Sequence, residues 1–186
     1  MISKSFSSTA FVRNFRIDRV NAAATLGAKM NELIARRMQK TDLGVVVKLL
    51  ADDVIGRSRE DEAKVLHADY LRAFELIDSD VNQYAAIFEI NREPVGCLQI
   101  TFIPGLSRRG SLRGQIEGVR VSRDFRGRGY GARMIAWAIK KCRDRGCRMV
   151  QLTSDKKRGK ALTFYEGFGF MKSHEGLKLT LTSVLE

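Results

Sequence analysis

Two periodicities run along this chain, and one gives way to the other past its midpoint. In the first half, apolar positions alternate. Residues 84–90 and 95–103 have strand character, with Leu98, Ile100 and Phe102 on one face of the second run and Cys97, Gln99 and Thr101 on the other. The tetrapeptide Asn91-Arg92-Glu93-Pro94 between them predicts a β-hairpin. Ahead of it, residues 32–38 form a candidate first strand, and Thr41 is a candidate helix N-cap with Asp42 in the first turn. Val45, Val46, Leu49 and Leu50 then recur at helical spacing. Tyr70, Phe74 and Leu76 lie in a second helical stretch, closed by Asp78-Ser79-Asp80. Residues 115–121 read as another strand.

Beyond that strand the period lengthens. Ile135, Ala138, Ile139 and Cys142 form an i, i+3, i+4, i+7 stripe, and Gly146 stops it after the basic Arg143 and Arg145. Residues 149–153 read as a short apolar strand and 161–166 as a helix closed by Gly167 and Gly169. From Phe170 through Leu177, Leu179 and Leu181, alternation predicts a final strand or pair. Hairpins followed by strand–helix–strand–helix–strand indicate a mixed α/β domain.

Composition narrows this picture. A chain of 186 residues suits one domain with a short appendage, and can bury a substantial core without staples. Residues 1–31 read as a basic N-terminal extension and 32–186 as the domain. The extension holds Ser, Ala, Arg and Phe with almost no acid, which is presequence-like in composition. A tail, or a start assigned too early with Met30 directly preceding the domain, is the simpler and preferred reading. Three cysteines without a C-x-x-C pair and only two histidines argue against a metal site. An odd cysteine count without a secretory signal favours a reducing compartment, hence the cytoplasm, or the mitochondrion if residues 1–30 act as a presequence. No stretch is apolar enough for long enough to span a membrane. The net charge of +12 suits nucleic acid, an anionic membrane or an anionic ligand. No Lys/Arg tract with interleaved aromatics or helix-turn-helix signal accompanies it, which argues against sequence-directed nucleic-acid binding.

The most informative segment is Arg126-Gly127-Arg128-Gly129-Tyr130-Gly131, between the strand ending at Val121 and the helix beginning near Gly131. Glycines let backbone N–H groups approach a ligand unobstructed, and a helix N-terminus adds unpaired donors and partial positive charge. That combination suits phosphate. No Gly-Lys-Ser/Thr follows, so this is not a Walker loop. The glycines are spaced two apart with no acid about 20 residues on, so it is not the dinucleotide fingerprint.

At this point the chain resembles the GNAT superfamily of acyl-CoA-dependent N-acetyltransferases, of the bacterial small-molecule type. Arg126, Gly129 and Gly131 match that family's Arg/Gln-x-x-Gly-x-Gly/Ala turn, residues 116–121 match its fourth strand, and 161–170 match its A-x-x-F-Y-x-x-x-G-F segment. The resemblance covers roughly residues 32 to 182, and Leu50-Ala51-Asp52-Asp53 and 151–156 carry the weaker likeness to the bacterial small-molecule subgroup. It implies a mixed, bent central sheet flanked by helices, whose fourth and fifth strands splay around the pantetheine arm of acetyl-CoA. Val119, Arg120 and Val121 would offer backbone groups to that arm. The N–H groups of Arg126, Gly127, Arg128, Gly129, Tyr130 and Gly131 would hold the pyrophosphate. Many relatives carry Pro where this chain has Arg123 or Asp124. Dimers are common in the family, so a homodimer is an expectation without a readable interface.

Acetyl transfer needs a neutral amine and a proton for the departing thiolate. Glu117 is the candidate base, acting directly or through water. Strand alternation gives it a face shared with Val119 and Val121, where desolvation would raise its pKa, unless a bulge turns it away. It competes with a Glu paired to Arg113 or Arg120. The resemblance makes Tyr165 the candidate acid near the cofactor sulfur, against a Tyr that merely packs. A backbone N–H near Val121 would polarise the carbonyl. Cys97, Cys142 and Cys147 read as packing residues, against a cysteine-linked intermediate. His174 reads as a surface residue and Trp137 as packing. Arg108, Arg109 and Arg113 either bind an acidic group on the substrate or form a solvated basic loop. The expected partner is a small-molecule amine. A protein or peptide amine, and a nucleic-acid-binding regulator on the same fold, stand as alternatives.

Overall fold

A computed structural model describes residues 32–52, 67–156 and 158–181. The extension 1–31 and Asp53 lie outside the described residues, so the division at residue 31 stays an expectation. In chain order the elements are β1 (Ile34–Arg37), α1 (Leu43–Ala51), α2 (Ala68–Ser79), β2 (Gln83–Ile90), β3 (Glu93–Pro104), β4 (Leu112–Val121), α3 (Tyr130–Asp144), β5 (Met149–Leu152) and α4 (Gly159–Glu166). The strands form one sheet in sequential order. Each neighbouring pair is antiparallel except β4 and β5, which run parallel.

The β2–β3 hairpin closes more tightly than its tetrapeptide suggested. Asn91 and Arg92 both take positive φ, at 51° and 68°, and Ile90 already pairs with Glu93. Positive φ at both loop positions is the two-residue turn whose twist matches the strands. Both central strands are buried on both faces. Phe88, Leu98, Ile100 and Phe102 join Ile116 beneath Met134, Ile135, Ala138 and Cys142 of α3. On the opposite face Ala85, Ile87 and Cys97 lie under Leu43, Val46, Leu49 and Phe74 of α1 and α2. Each fully buried side chain of this size contributes about 1.5–3 kcal/mol as an upper estimate. At Gly114 an added Cβ would collide with Cys142 Sγ, so the missing side chain lets α3 lie on β4.

Three expectations change. The N-cap of α1 is Asp42, not Thr41: a 3₁₀ turn over Lys40–Asp42, itself capped at Gln39, leads into the helix, and Asp42 accepts the Gln39 N–H at 2.7 Å and binds Arg36 at 2.7 Å. Arg36 also reaches Glu89 at 2.6 Å, so a buried Asp42 is committed to an ion pair that joins β1, β2 and the cap. On α1 the buried positions are Leu43, Val46, Val47 and Leu49, while Val45 is exposed. Residues 170–181 lie in no strand, and Leu177, Leu179 and Leu181 are 95%, 86% and 84% exposed. Their alternation is a strand pattern, but a strand also needs a partner ladder, and no described strand supplies one.

Candidate active site

β4 and β5 pair only from Arg113 opposite Met149 to Ile116 opposite Leu152. Past that point β5 ends and residues 117–121 of β4 continue with that edge open. The cause is local. Gln99 pairs with Glu117 but Cys97 with Arg120, so Gly118 and Val119 together oppose Leu98. Gly118 takes φ 60°, and such a bulge bends its strand. Ser122 N–H donates back to Val95 O on β3 at 2.9 Å. By alternation its neighbour Val121 directs its N–H towards the opening. Val119 and Val121 pack toward the α3 side. Arg120 donates to the Val119 carbonyl at 3.0 Å and lies 3.5 Å from the Leu50 carbonyl of α1.

The loop after β4 delivers the helix N-terminus to the same place. A 3₁₀ turn over Arg123–Phe125 leads into Gly127 and Gly129 at φ 75° and 81°. A side chain on either glycine would meet nothing within 4 Å, so open space flanks the backbone there. Gly129 caps α3, and Arg133 donates to Gly129 O at 3.2 Å. The N–H groups of residues 127–132 make no backbone hydrogen bond among the described residues. Tyr130 is buried, its ring 6.0 Å from that of Phe125, which anchors the helix start.

Arg126 stands differently from its neighbours. Its N–H donates to Arg123 O at 3.3 Å, and its guanidinium binds Val121 O at 3.0 Å, Asp52 O at 2.7 Å and Asp52 Oδ2 at 2.9 Å. It pins the loop to β4 and α1, whereas the sequence reading gave its N–H to the ligand. Arg128 remains exposed, with its guanidinium 5.7 Å above the Phe125 ring. Asp52 had no assigned role. It also accepts the Arg123 N–H at 3.0 Å and pairs with the Arg123 guanidinium at 2.9 Å. One signal was available: a carboxylate at the C-terminal end of a helix opposes the helix dipole, so it needs a partner elsewhere.

The two candidate proton carriers lie on opposite faces of the sheet. Gly114 and Ile116 face α3, so Glu117 faces the α1/α2 side, where it is exposed. The burial expected there is absent, because the bulge at Gly118 breaks the alternation that would have placed Glu117 with Val119 and Val121. Tyr165, on α4, packs against the α3-side core with its ring 5.2 Å from Phe164 and 6.0 Å from Phe170. Burial pushes its hydroxyl above the ordinary tyrosine value, while the charges of Arg120 and Arg158 pull the other way. It therefore stays protonated at neutral pH, as a proton donor must.

The cysteines are placed as packing residues. Cys97 is buried beneath the bulge, its thiol directed at Gly118 O at 3.7 Å, and burial pushes it up to about 12. Burial likewise pushes Cys142 up to about 12. Neither is a thiolate nucleophile at neutral pH. Trp137 packs on Phe88 at 5.2 Å, and His174 is exposed beside Ser173. Among the described residues no three metal-ligating side chains cluster, and no helix is long and apolar enough to cross a membrane. Two surface hollows, of about 570 and 300 Å³, are lined from β1, α2, β2 and α3 and hold none of the candidate site residues.

A mixed sheet opened between two parallel strands, with free amides of a glycine loop and helix N-terminus at the mouth, defines an acyl-coenzyme A transferase fold. The sequence pattern of the acetyltransferase (GNAT) family matches residues 48–170, and the chain belongs to that family. It is 45% identical to a transcriptional regulator of Bacillus halodurans C-125, over 81% of this chain and 100% of that one, with a TM-score of 0.78. A Trypanosoma brucei acetyltransferase aligns at 27% identity over 81% of this chain and 100% of its own, with a TM-score of 0.65. N-alpha-acetyltransferase 30 of Saccharomyces cerevisiae is 32% identical over 79 residues, 42% of this chain and 44% of the relative. The chain thus spans less than half the length of the curated relatives it matches, 44% and 37%.

Proposed function

We propose that this protein transfers the acetyl group of acetyl-CoA directly to a primary amine of a small molecule. One observation supports the reading: beyond Ile116 the edge of β4 has no strand partner among the described residues, and it runs directly into a glycine loop whose amides at 127–131 have no backbone partner there. Acetyl-CoA, when bound, supplies an activated acyl group as its thioester. The glycine loop fits the pyrophosphate, since the space beside Gly127 and Gly129 is empty and the amides there lack backbone partners. The β4 segment Val119, Arg120, Val121 fits the pantetheine arm, because its edge presents backbone groups that no strand uses.

The chain's own groups then divide the work. Glu117 accepts a proton from the incoming ammonium. Its exposure suits exchange with solvent and relay through a water molecule. The Val121 N–H donates to the carbonyl oxygen as negative charge develops there. As the C–S bond breaks Tyr165 delivers its proton to the departing sulfur, and the proton that the acylated nitrogen sheds as the amide forms restores the tyrosine hydroxyl through solvent. Calorimetric titration with acetyl-CoA, followed by thiol-release assays on a panel of small amines and peptides, tests this directly. Binding with turnover supports it, and absence of binding removes it.

A second reading has an observation behind it. The 45%-identical relative is described as a transcriptional regulator, and this chain carries a net charge of +12. Under that reading duplex DNA would bind with a sequence preference that survives added salt. The unspent amides and paired proton carriers favour the transferase. The yeast relative's name keeps peptide amines on the substrate panel.

A further inference from the structure

The α1/α2 face of the sheet changes character beyond the helices that cover it. A polar row crosses four strands in register: Gln83 on β2, Thr101 on β3, Gln115 on β4 and Gln151 on β5. Thr101 Oγ1 donates to Gln83 Oε1 at 2.9 Å, and Gln151 Nε2 donates to Gln115 Oε1 at 2.7 Å. These side chains are partly exposed, so each amide keeps hydrogen-bonding capacity for another molecule.

Along β4 the same face reads cation, amide, anion: Arg113, Gln115, Glu117. Four strand steps, about 13 Å along β4, separate the backbone positions of Arg113 and Glu117. Arg113 Nε is buried without a hydrogen-bond partner, and no acid pairs with Arg113 among the described residues. A donor in that condition calls for an acceptor. Arg108 reaches the same end, with Nη1 3.8 Å from Met149 Sδ, and Met149 stands beside Arg113 in the register. Arg108 and its neighbour Arg109 both hold left-handed backbone, at φ 54° and 58°. The other end of the stripe, Glu117, sits at the opening where an acceptor amine must arrive.

We infer that the acceptor is an elongated primary amine bearing an anionic group, a carboxylate or phosphate, about 13 Å from the nitrogen. Its amine meets Glu117, its polar chain lies over Gln115 and Gln151, and its anion binds Arg113 and Arg108. The inference rests on the amine-acetylation reading and specifies its substrate.

The probes are glycine oligomers of two to five residues, each with a free C-terminal carboxylate or a C-terminal amide, and aminoalkyl phosphates of matched span. An extended tetraglycine covers the distance at about 3.4 Å per residue. The expected result is a KM at least tenfold lower for the carboxylate form than for the amide near that length. If the phosphates show the lower KM, the anion is a phosphate; if the carboxylates do, it is a carboxylate. Arg113→Gln should bring the carboxylate and amide KM values together, and Arg113→Lys should restore part of the gap. Calorimetry with acetyl-CoA on both variants verifies that the cofactor half is intact. Equal KM values for both forms in the wild type, or a gap that survives R113Q, would overturn the inference while leaving the transferase reading in place. Acetyl-CoA binding without turnover on any amine would instead remove the transferase reading and this inference with it.

Discussion

Asp52→Ala probes how the cofactor loop is held. The Asp52 carboxylate takes the Arg123 N–H at 3.0 Å, the Arg123 guanidinium at 2.9 Å and Arg126 Nη2 at 2.9 Å. The side chain of Asp52 is 22% exposed, but those of Arg123 and Arg126 are 65% and 43% exposed, so both ion pairs stand largely in water. On that footing each pair contributes about 0.2–1 kcal/mol, and the backbone hydrogen bond about 1 kcal/mol. The sum is about 1.5–3 kcal/mol, nearer the lower figure because one carboxylate serves all three contacts. Alanine leaves the Asp52 carbonyl and Val121 O still bonded to Arg126. If the ligand binds the docked loop, a loss of about 1.4 kcal/mol weakens acetyl-CoA roughly tenfold. Turnover at saturation should change little, since Glu117 and Tyr165 are untouched. Calorimetry gives the affinity, thermal unfolding verifies the fold, and the wild-type advantage should shrink in high salt. An affinity within twofold of wild type in a folded D52A protein would refute the idea that this clasp positions the loop.

Four further outcomes are expected. Tyr165→Phe should lower kcat about a hundredfold with acetyl-CoA affinity unchanged, read by single-turnover and binding assays; wild-type turnover would take Tyr165 out of the mechanism. Because burial raises that hydroxyl, the wild-type rate should fall only above the ordinary tyrosine range. Glu117→Gln should flatten the rise of rate with pH, and an unaltered profile would place the base elsewhere. Gly129→Glu should abolish acetyl-CoA binding by adding negative charge at the proposed phosphate site, with circular dichroism verifying the fold. Finally, Arg36 holds the Asp42 carboxyl below its usual range, chiefly by hydrogen bonding. That stability is present above about pH 4 and is lost as pH falls through the lowered folded value. Arg36→Met should therefore lower stability by about 2–3 kcal/mol at pH 7, with the deficit shrinking toward pH 2. A deficit equal at both pH values in denaturant melts would show that Asp42 does not carry it.

The limits of sequence reading follow from the range of the forces involved. Helix α3 was legible from its stripe because burial of Ile135, Ala138 and Cys142 needs only one periodic face. The glycine loop was legible because positive φ and close ligand approach select one residue type. Glu117 was found as a residue but misjudged in its surroundings, because one extra residue at Gly118 reverses the face of everything beyond it. Residues 177–181 carry a strand's alternation, but pairing depends on a partner that local pattern does not name.

Asp52 and Arg113 show the same division more sharply. Nothing near Asp52 in the chain announces Arg123 and Arg126, which lie some seventy residues away and arrive only when α1 packs beside β4. Arg113 is one of many arginines until the sheet sets it in line with Gln115 and Glu117 beneath an uncovered face. The chain's local order by itself determined the mixed α/β class, the phosphate-type loop and Glu117 as candidate base, since each follows from periodicity or from the chemistry of a few adjacent residues, while Tyr165 as candidate acid came from the family resemblance. Only the tertiary structure decided which edge of β4 is open, which arginine clasps the loop and which one keeps a buried Nε without a hydrogen-bond partner among the described residues. Those facts are relations between distant segments, and they exist only once the sheet has set its register.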